Sequence, residues 1–471
     1  MSHAQEGDPS HGEKIAVVFV ATLSSFLMPF MASSLNVALP RIGAEFSMDA
    51  ILLSWIVTAY LLVAGIFILP FGRLADIYGR KRLFTGGVAI FTLAAFLNAI
   101  APSGIMLIGF RVLQGVGAAM MFGLGVAILT SVFPPGERGK MLGYNTAAVY
   151  AGLSCGPFFG GTMTLHFGWR SIFLANVCFG VMVLIIAVRY LKGEWAGAMG
   201  ERFDLPGAVI YSITLVMVIY GFSLLPEITG GVLLTLGVIF LSGFVFWETR
   251  TEYPLLEMRL FRRNTVFAFS NLATLLHYGA TATITFLMSL YLQYNRGLDP
   301  QTTGLILIIQ PVIQTLLSPV AGKISDRVEP RVIASAGMGL TAVGLLNFIF
   351  ISDQTPLPLI SFNLGLVGLG FAFFASPNTN AIMNSVEKRL YGVASGTLGT
   401  MRIVGNMLSM GIVMMIISMM IGHVEITPQY HEEFLYCVHI AFSIFSIMCF
   451  AGIFASLARG KIHNTNDASG G

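Results

Sequence analysis

Two arginines, Arg111 and Arg402, stand inside long apolar runs, with Gln114 one helical turn after the first. A guanidinium in hydrocarbon is costly unless it faces a cavity or a partner, so both are candidates for binding a polar or anionic solute or for gating. The competing reading is structural, an arginine satisfied by backbone carbonyls at a helix kink. His277, beside Tyr278, carries a ring suited to proton uptake, against the alternative of a hydrogen bond that ties two helices together. Asn36, Gln310, Gln314, Asn378, Asn380 and Asn406 place neutral amides in runs of the same kind. The 23 acidic residues avoid these runs except near their edges, so no buried carboxylate is there to exchange a proton for an organic cation. That balance favours anions or neutral amphiphiles as solutes.

Other chemistries lack their residues. There is no His-Glu-x-x-His, no paired Cys-x2-Cys and no phosphate-binding loop, since Gly136-Glu-Arg-Gly139-Lys140 has neither the spacing nor the Ser or Thr. Cys155, Cys178, Cys437 and Cys449 sit in apolar runs without metal-ligand spacing and read as small buried hydrophobes. Neither a metal, a cofactor nor an enzymatic activity is expected, and a net charge of +3 is too small to suggest a nucleic-acid partner.

The elements that must hold these residues are membrane helices. Of 471 residues, 55% are hydrophobic and 10% charged, far from the roughly one quarter charged of soluble chains. A spanning helix needs about 20 apolar residues. Fourteen such runs lie near 15–39, 51–71, 83–101, 105–133, 141–166, 171–190, 205–225, 230–247, 265–294, 301–321, 332–351, 357–380, 392–421 and 434–458. Continuous runs of this length read as helices, because barrel strands alternate over about ten residues. The polar first fourteen residues lack a basic leader, so the first run is expected to stay as a helix. With the N-terminus placed in the cytoplasm, 21 of the 26 Lys and Arg fall in inside loops, and only Arg41, Arg170 and Arg296 fall outside. This bias predicts a multi-pass protein of the cell membrane, in contact with the lipid bilayer, with both termini cytoplasmic.

Gly72-Arg-Leu-Ala-Asp76-Ile-Tyr-Gly79-Arg80-Lys81-Arg82, between runs two and three, has a weaker echo between runs ten and eleven, Gly322-Lys323-Ile-Ser-Asp326-Arg327. Corresponding loops at positions two and ten predict an all-α plan of two six-helix halves related by a pseudo-twofold repeat, with two helices inserted between them. The parts would be 1–190, an inserted pair with cytoplasmic linkers over 191–263, and 264–471.

The loop from Gly72 to Arg82 resembles the cytoplasmic signature of the major facilitator superfamily, and Arg111-Val-Leu-Gln114-Gly115-Val-Gly117 is similar to its second signature. Gly152-x3-Gly156-Pro157-x2-Gly160-Gly161 resembles the fifth-helix signature of exporters that work as antiporters; glycines four apart also make a flat packing face in any helix. Ser33-Ser34-Leu-Asn36-Val-Ala-Leu-Pro40, Trp55 to Tyr60 and Trp169-Arg170-Ser-Ile-Phe173-Leu-Ala-Asn176 resemble the fourteen-helix drug:proton antiporters. The resemblance implies a gate at Gly72, Asp76, Gly79, Arg80 and Asp326, and a path lined from Asn36, Tyr60, Arg111, Gln114, His277, Gln310, Gln314, Arg402 and Asn406. It also implies proton-coupled export of drugs or small amphiphilic molecules by alternating access. Two positions depart from the pattern: Met31 stands where an Asp is common, and Ile403 follows Arg402 where a Gln is usual. A dedicated exporter of an anionic or neutral metabolite, or a transporter-like sensor that does not move its ligand, are the alternatives. The expected partners are a small-molecule substrate and protons, and the expected state is a monomer.

Overall fold

The computed structural model describes residues 11–133, 135–191, 194, 201–325, 327–387 and 390–460. Helices account for nearly all of them, and no strand occurs among the described residues. In chain order the long helices are α1 (His11–Phe46), α2 (Ala50–Tyr78), α3 (Arg80–Ala99), α4 (Gly104–Met121 and Leu124–Val132), α5 (Pro135–Phe167), α6 (Arg170–Tyr190), α7 (Leu205–Ser223) and α8 (Ile228–Glu248). They continue as α9 (Thr265–Thr281 and Ile284–Tyr294), α10 (Pro300–Leu307 and Ile309–Ser325), α11 (Pro330–Phe348), α12 (Leu357–Asn384), α13 (Tyr391–Met420) and α14 (His431–Ala458). Among the described residues, thirteen helical spans are long and apolar enough to cross a membrane. The other, α5, has 33 residues and ample length, but its Gly, Ser, Thr and Asn content dilutes its apolar character.

Local chemistry sets the boundaries. Asp49 accepts N–H bonds from Ile51 and Leu52 at the start of α2 (2.9 and 2.8 Å), and Asn264 accepts one from Phe267 at the start of α9 (2.9 Å). Asp299 caps α10; hydrogen bonds from the Thr302 hydroxyl and from the backbone N–H groups of Thr302 and Gln301 hold its carboxyl below the usual range. Glycine with φ of 74° at position 123 interrupts α4, and Pro157 sits inside α5, where its missing N–H opens the hydrogen-bond ladder.

Several helices outrun the apolar runs that foretold them. Gly72 was expected in a turn, yet α2 stays helical to Tyr78 and nothing crowds Gly72; Gly79 alone turns the chain, with φ of 115°. Arg41, expected in an outside loop, lies within α1.

Antiparallel neighbours put the loops at two ends. One end carries 47–49, 100–103, 168–169, 295–299, 349–356 and 421–430; the other carries Gly79 and the segments 249–264 and 385–387. Helices α1 to α6 pack as one bundle and α9 to α14 as a second, while α7 and α8 form a hairpin whose α7 lies on α2 and α13. Among the described residues, hydrogen bonds between the two bundles occur toward the 47–49 end and near mid-helix. Ser289 Oγ donates to Asn36 O (2.8 Å), Gln293 Nε2 to Val37 O (2.9 Å) and Ala50 N to Val424 O (3.1 Å), while Ser154 and Thr315 share a bond (3.2 Å). Backbone meets backbone there too, since a Cβ on Gly304 would lie 2.1 Å from Pro157 O and one on Gly161 2.2 Å from Pro300 O.

Gly304→Val should therefore pry this end apart. In a cysteine-free background with Cys at 36 and 289, disulfide trapping is expected to be efficient when Gly304 is kept and to fall severalfold in Gly304→Val at unchanged membrane yield; equal trapping would show that the glycine contact does not hold the bundles.

Candidate functional site

Arg111 is 1% exposed although it sits in mid-helix. Its Nε donates to Ile56 O on α2 (3.0 Å), one of its terminal N–H groups donates to Gln114 Oε1 (2.6 Å), and its guanidinium lies 4.3 Å from the centre of the Tyr60 ring. Gln114 Oε1 also accepts from Asn98 Nδ2 (3.1 Å). Gly115 permits this closeness, because a Cβ there would lie 2.7 Å from Tyr60 O. A backbone carbonyl satisfies part of the group, and neutral dipoles and a π face hold its charge. Asn98, which the sequence did not single out, completes the cluster; its spacing of 16 from Gln114 carries no periodic signal.

Arg402 belongs to α13 and is only partly buried. It donates to Thr379 Oγ1 on α12 (3.1 Å) and lies 5.5 Å from the centre of the Tyr278 ring, and its Nε has no partner. Tyr150 of α5 is near enough to act electrostatically on Tyr278, so this patch draws on both bundles. Among the described residues, no ion pair joins Arg111 or Arg402 to a carboxylate. Gln310 and Gln314 are buried on α10, and Asn406 is half-buried one turn beyond Arg402. Asn36 gives its carbonyl to Ser289 while its Oδ1 is buried without a partner.

His277 goes elsewhere. It stacks on Phe374 (4.0 Å between centroids), meets Phe371 edge-on and lies 3.4 Å from Thr341 Oγ1 of α11, all inside the second bundle. Asn378 likewise serves that interior, donating to Ser270 O and Thr274 Oγ1 and accepting from Arg459 (2.7 Å). Arg459, which the sequence places among the solvent-facing inside positives, is fully buried, because α14 carries it against α9 and α12.

At the Gly79 end, Arg80 donates twice to Asp76 Oδ1 (2.9 and 2.8 Å) and once to Ser131 Oγ of α4 (3.2 Å). Glu194, from the segment after α6, accepts from Lys81 N (2.9 Å) and so supplies the missing cap of α3. Arg73 pairs with Glu201. Neither glutamate belongs to a motif. Asp326 lies outside the described residues.

The glycine face of α5 packs on the very residues of α1 that carry another motif. A Cβ would lie 2.4 Å from Phe26 O at Gly152, 1.8 Å from Ser33 Oγ at Gly156 and 2.6 Å from Ser34 Cα at Gly160, while Ser34 Oγ donates to Gly156 O (2.9 Å). Met31 faces α6, where its sulfur accepts from Asn176 Nδ2 (3.2 Å). The position that departs from the resemblance is thus buried against another of the motifs.

A family model described as the Major Facilitator Superfamily matches residues 21–249 and 270–469. The chain belongs to the major facilitator superfamily. Among relatives of this transporter, the riboflavin transporter RibZ of Clostridioides difficile is 30% identical over 83% of this chain and 85% of its own. The cephamycin export protein CmcT of Amycolatopsis lactamdurans is 32% identical over 94% of each, and the multidrug resistance protein Stp of Mycobacterium tuberculosis 32% over 83% and 73%. In fold, the transporter is similar to a bacterial homologue of the lysosomal transporter Spinster in an inward-facing, unoccupied conformation, with TM-score 0.66 and 15% identity over 96% of this chain and 98% of that one. A peptide transporter POT gives 0.68 at 13% identity, over 93% of each.

Lysine cannot reproduce the planar fork that reaches Ile56 O and Gln114 together. Hydrogen bonds to a charged group contribute about 1.5–3 kcal/mol each, so Arg111→Lys is expected to lower transport by roughly tenfold to a hundredfold in vesicles. Unchanged transport with only a lower melting temperature would assign Arg111 to structure alone.

Proposed function

We propose that this chain is a proton-coupled exporter of drugs or small amphiphilic molecules, of the fourteen-helix antiporter kind, working by alternating access. The observation that carries the reading is the closure of the two bundles on each other toward the 47–49 end. Among the described residues, hydrogen bonds between the bundles sit toward the 47–49 end or near mid-helix, and farther along Phe122 lies beside Gly399. With the basic loops cytoplasmic, the closed end is the outer one and the path opens inward. Substrate would enter from the cytoplasm, meet Arg402 and Tyr278 between the bundles, and leave when the contact between α5 and α10 parts. Asp76 and Arg80, held to each other and to Ser131, would then swing against the second half as an inner gate. The halves 1–190 and 264–471 would rock about the path, with the 191–263 pair carried between them. Relatives whose names include multidrug resistance and export support the direction.

A second reading has its own support. The partly exposed charge between the bundles is a guanidinium with no carboxylate beside it, which favours a dedicated exporter of an anionic or neutral metabolite.

Proteoliposomes with an imposed pH gradient and a panel of cationic, neutral and anionic compounds separate the two. Proton release coupled to one class, lost in Arg402→Ala, is the expected result, and that class reports the preference of the path. Solute movement without any proton flux would sink the antiport mechanism. A second outcome is expected at the gate, where Asp76→Asn and Arg80→Ala should insert normally and cycle severalfold more slowly; wild-type turnover in both would remove that assignment.

A further inference from the structure

Asp204 and Glu248 stand at the base of the α7–α8 hairpin, away from the path, and both are buried, at 7% and 3% exposure. Their carboxyl groups converge on one point. A Cβ on Gly207 would lie 2.3 Å from Asp204 Oδ2 and 2.7 Å from Glu248 Oε1, so the two oxygens are within about 5 Å of each other and only glycine leaves them room. Each carboxyl is already held. Asp204 accepts from Gly207 N (2.9 Å) and from the Trp247 indole N–H (3.0 and 3.1 Å), and Glu248 Oε2 accepts from Leu256 N (2.9 Å). Glu248 Oε1 is buried with no hydrogen-bond partner among the described residues, beside the same Gly207 that Asp204 Oδ2 abuts.

Among the described residues, no basic group is found acting on Glu248. The charged groups that act on Glu248 are Asp204 and Glu257, both acidic. Arg73 is engaged by Glu201, and Arg250 rests on the Phe246 ring. The hydrophobic cluster of α2, α7 and α13 beside them is built from residues such as Ile66, Ile68, Ile403 and Met407. Two carboxylates sharing a buried site do not both ionise at ordinary cost. A metal ion would need several more oxygens than the single unmet one here.

We infer that Asp204 and Glu248 form a protonation site in which the two carboxyls hold one proton between them. Protonated Glu248 donates through Oε1 to Asp204 Oδ2, which gives the orphaned oxygen its partner and leaves one negative charge, solvated by the Trp247 and Gly207 N–H groups. Loss of the proton sets two carboxylates against each other and drives Glu248 outward, which strains its bond to Leu256 N and with it the segment 249–257 that leads to α9. The site is independent of the export reading, and neither stands or falls with the other.

Trp247 is a built-in reporter. In the full-length protein with Trp55→Phe, Trp169→Phe and Trp195→Phe, the emission of Trp247 is expected to show one single-proton transition between about pH 5 and 9. Glu248→Gln, which mimics the protonated acid, should fold and fix the protonated-state emission across that range. In the otherwise wild-type chain, infrared difference spectra over the same range should show loss of one protonated-carboxyl stretch that is absent in Glu248→Gln. Flat emission together with no carboxyl band overturns the site. So does a transition whose midpoint moves when sodium replaces choline at constant ionic strength, which would mark a cation site instead.

Discussion

Backbone-to-backbone contact between α1, α5 and α10 is what the arrangement of the two bundles rests on. Gly152, Gly156 and Gly160 seat α5 on Phe26, Ser33 and Ser34, and the next residue, Gly161, faces Pro300 while Gly304 faces Pro157. In lipid no hydrophobic force drives helices together, so close packing and hydrogen bonds between them must do it. A methyl group at any of these positions would fall within 2.6 Å of another residue's atoms, mostly backbone. The result is a seam that crosses from one bundle to the other toward the 47–49 end.

The two arginines show different answers to the same electrostatic problem. Arg111 is enclosed by Ile56 O, Gln114 and Tyr60, so its charge is dispersed into fixed dipoles within the first bundle. Arg402 is tied only to Thr379, leans on Tyr278 and keeps an unpartnered Nε. The first is set in place before any solute arrives, whereas the second has donors to spare. Acidic residues are arranged the opposite way. They lie at helix ends, where Asp49 and Asp299 cap, Glu194 holds Lys81 N and Asp204 with Glu248 closes the hairpin base.

Much of the fold was legible because each helix must satisfy its own backbone within the bilayer, which writes a run of apolar residues into the chain. The ends of helices were less so. Hydropathy stops at the first charge, but α2 runs on through Arg73 and Asp76 and α1 through Arg41, since charged side chains at the water boundary do not interrupt a helix. The site was half legible. Arg111 with Gln114, and Asp76 with Arg80, sit three and four residues apart and had to meet on one helix face or turn. His277 left two readings open, a proton site on the path or a tie between helices, because its residue type says nothing about which side of α9 it occupies; its neighbours are Phe374 and Thr341.

From the sequence alone came the membrane-helix class, the family resemblance and the polar residues too costly to bury without purpose, because each is local to one helix and one solvent. Which helix faces met was decided by tertiary structure. Asn98 joined Gln114, Glu194 capped α3, Arg459 went inside and Glu248 turned toward Asp204. Those choices depend on helix rotation and on contacts between residues 16 to 189 positions apart, and no periodicity along the chain records them.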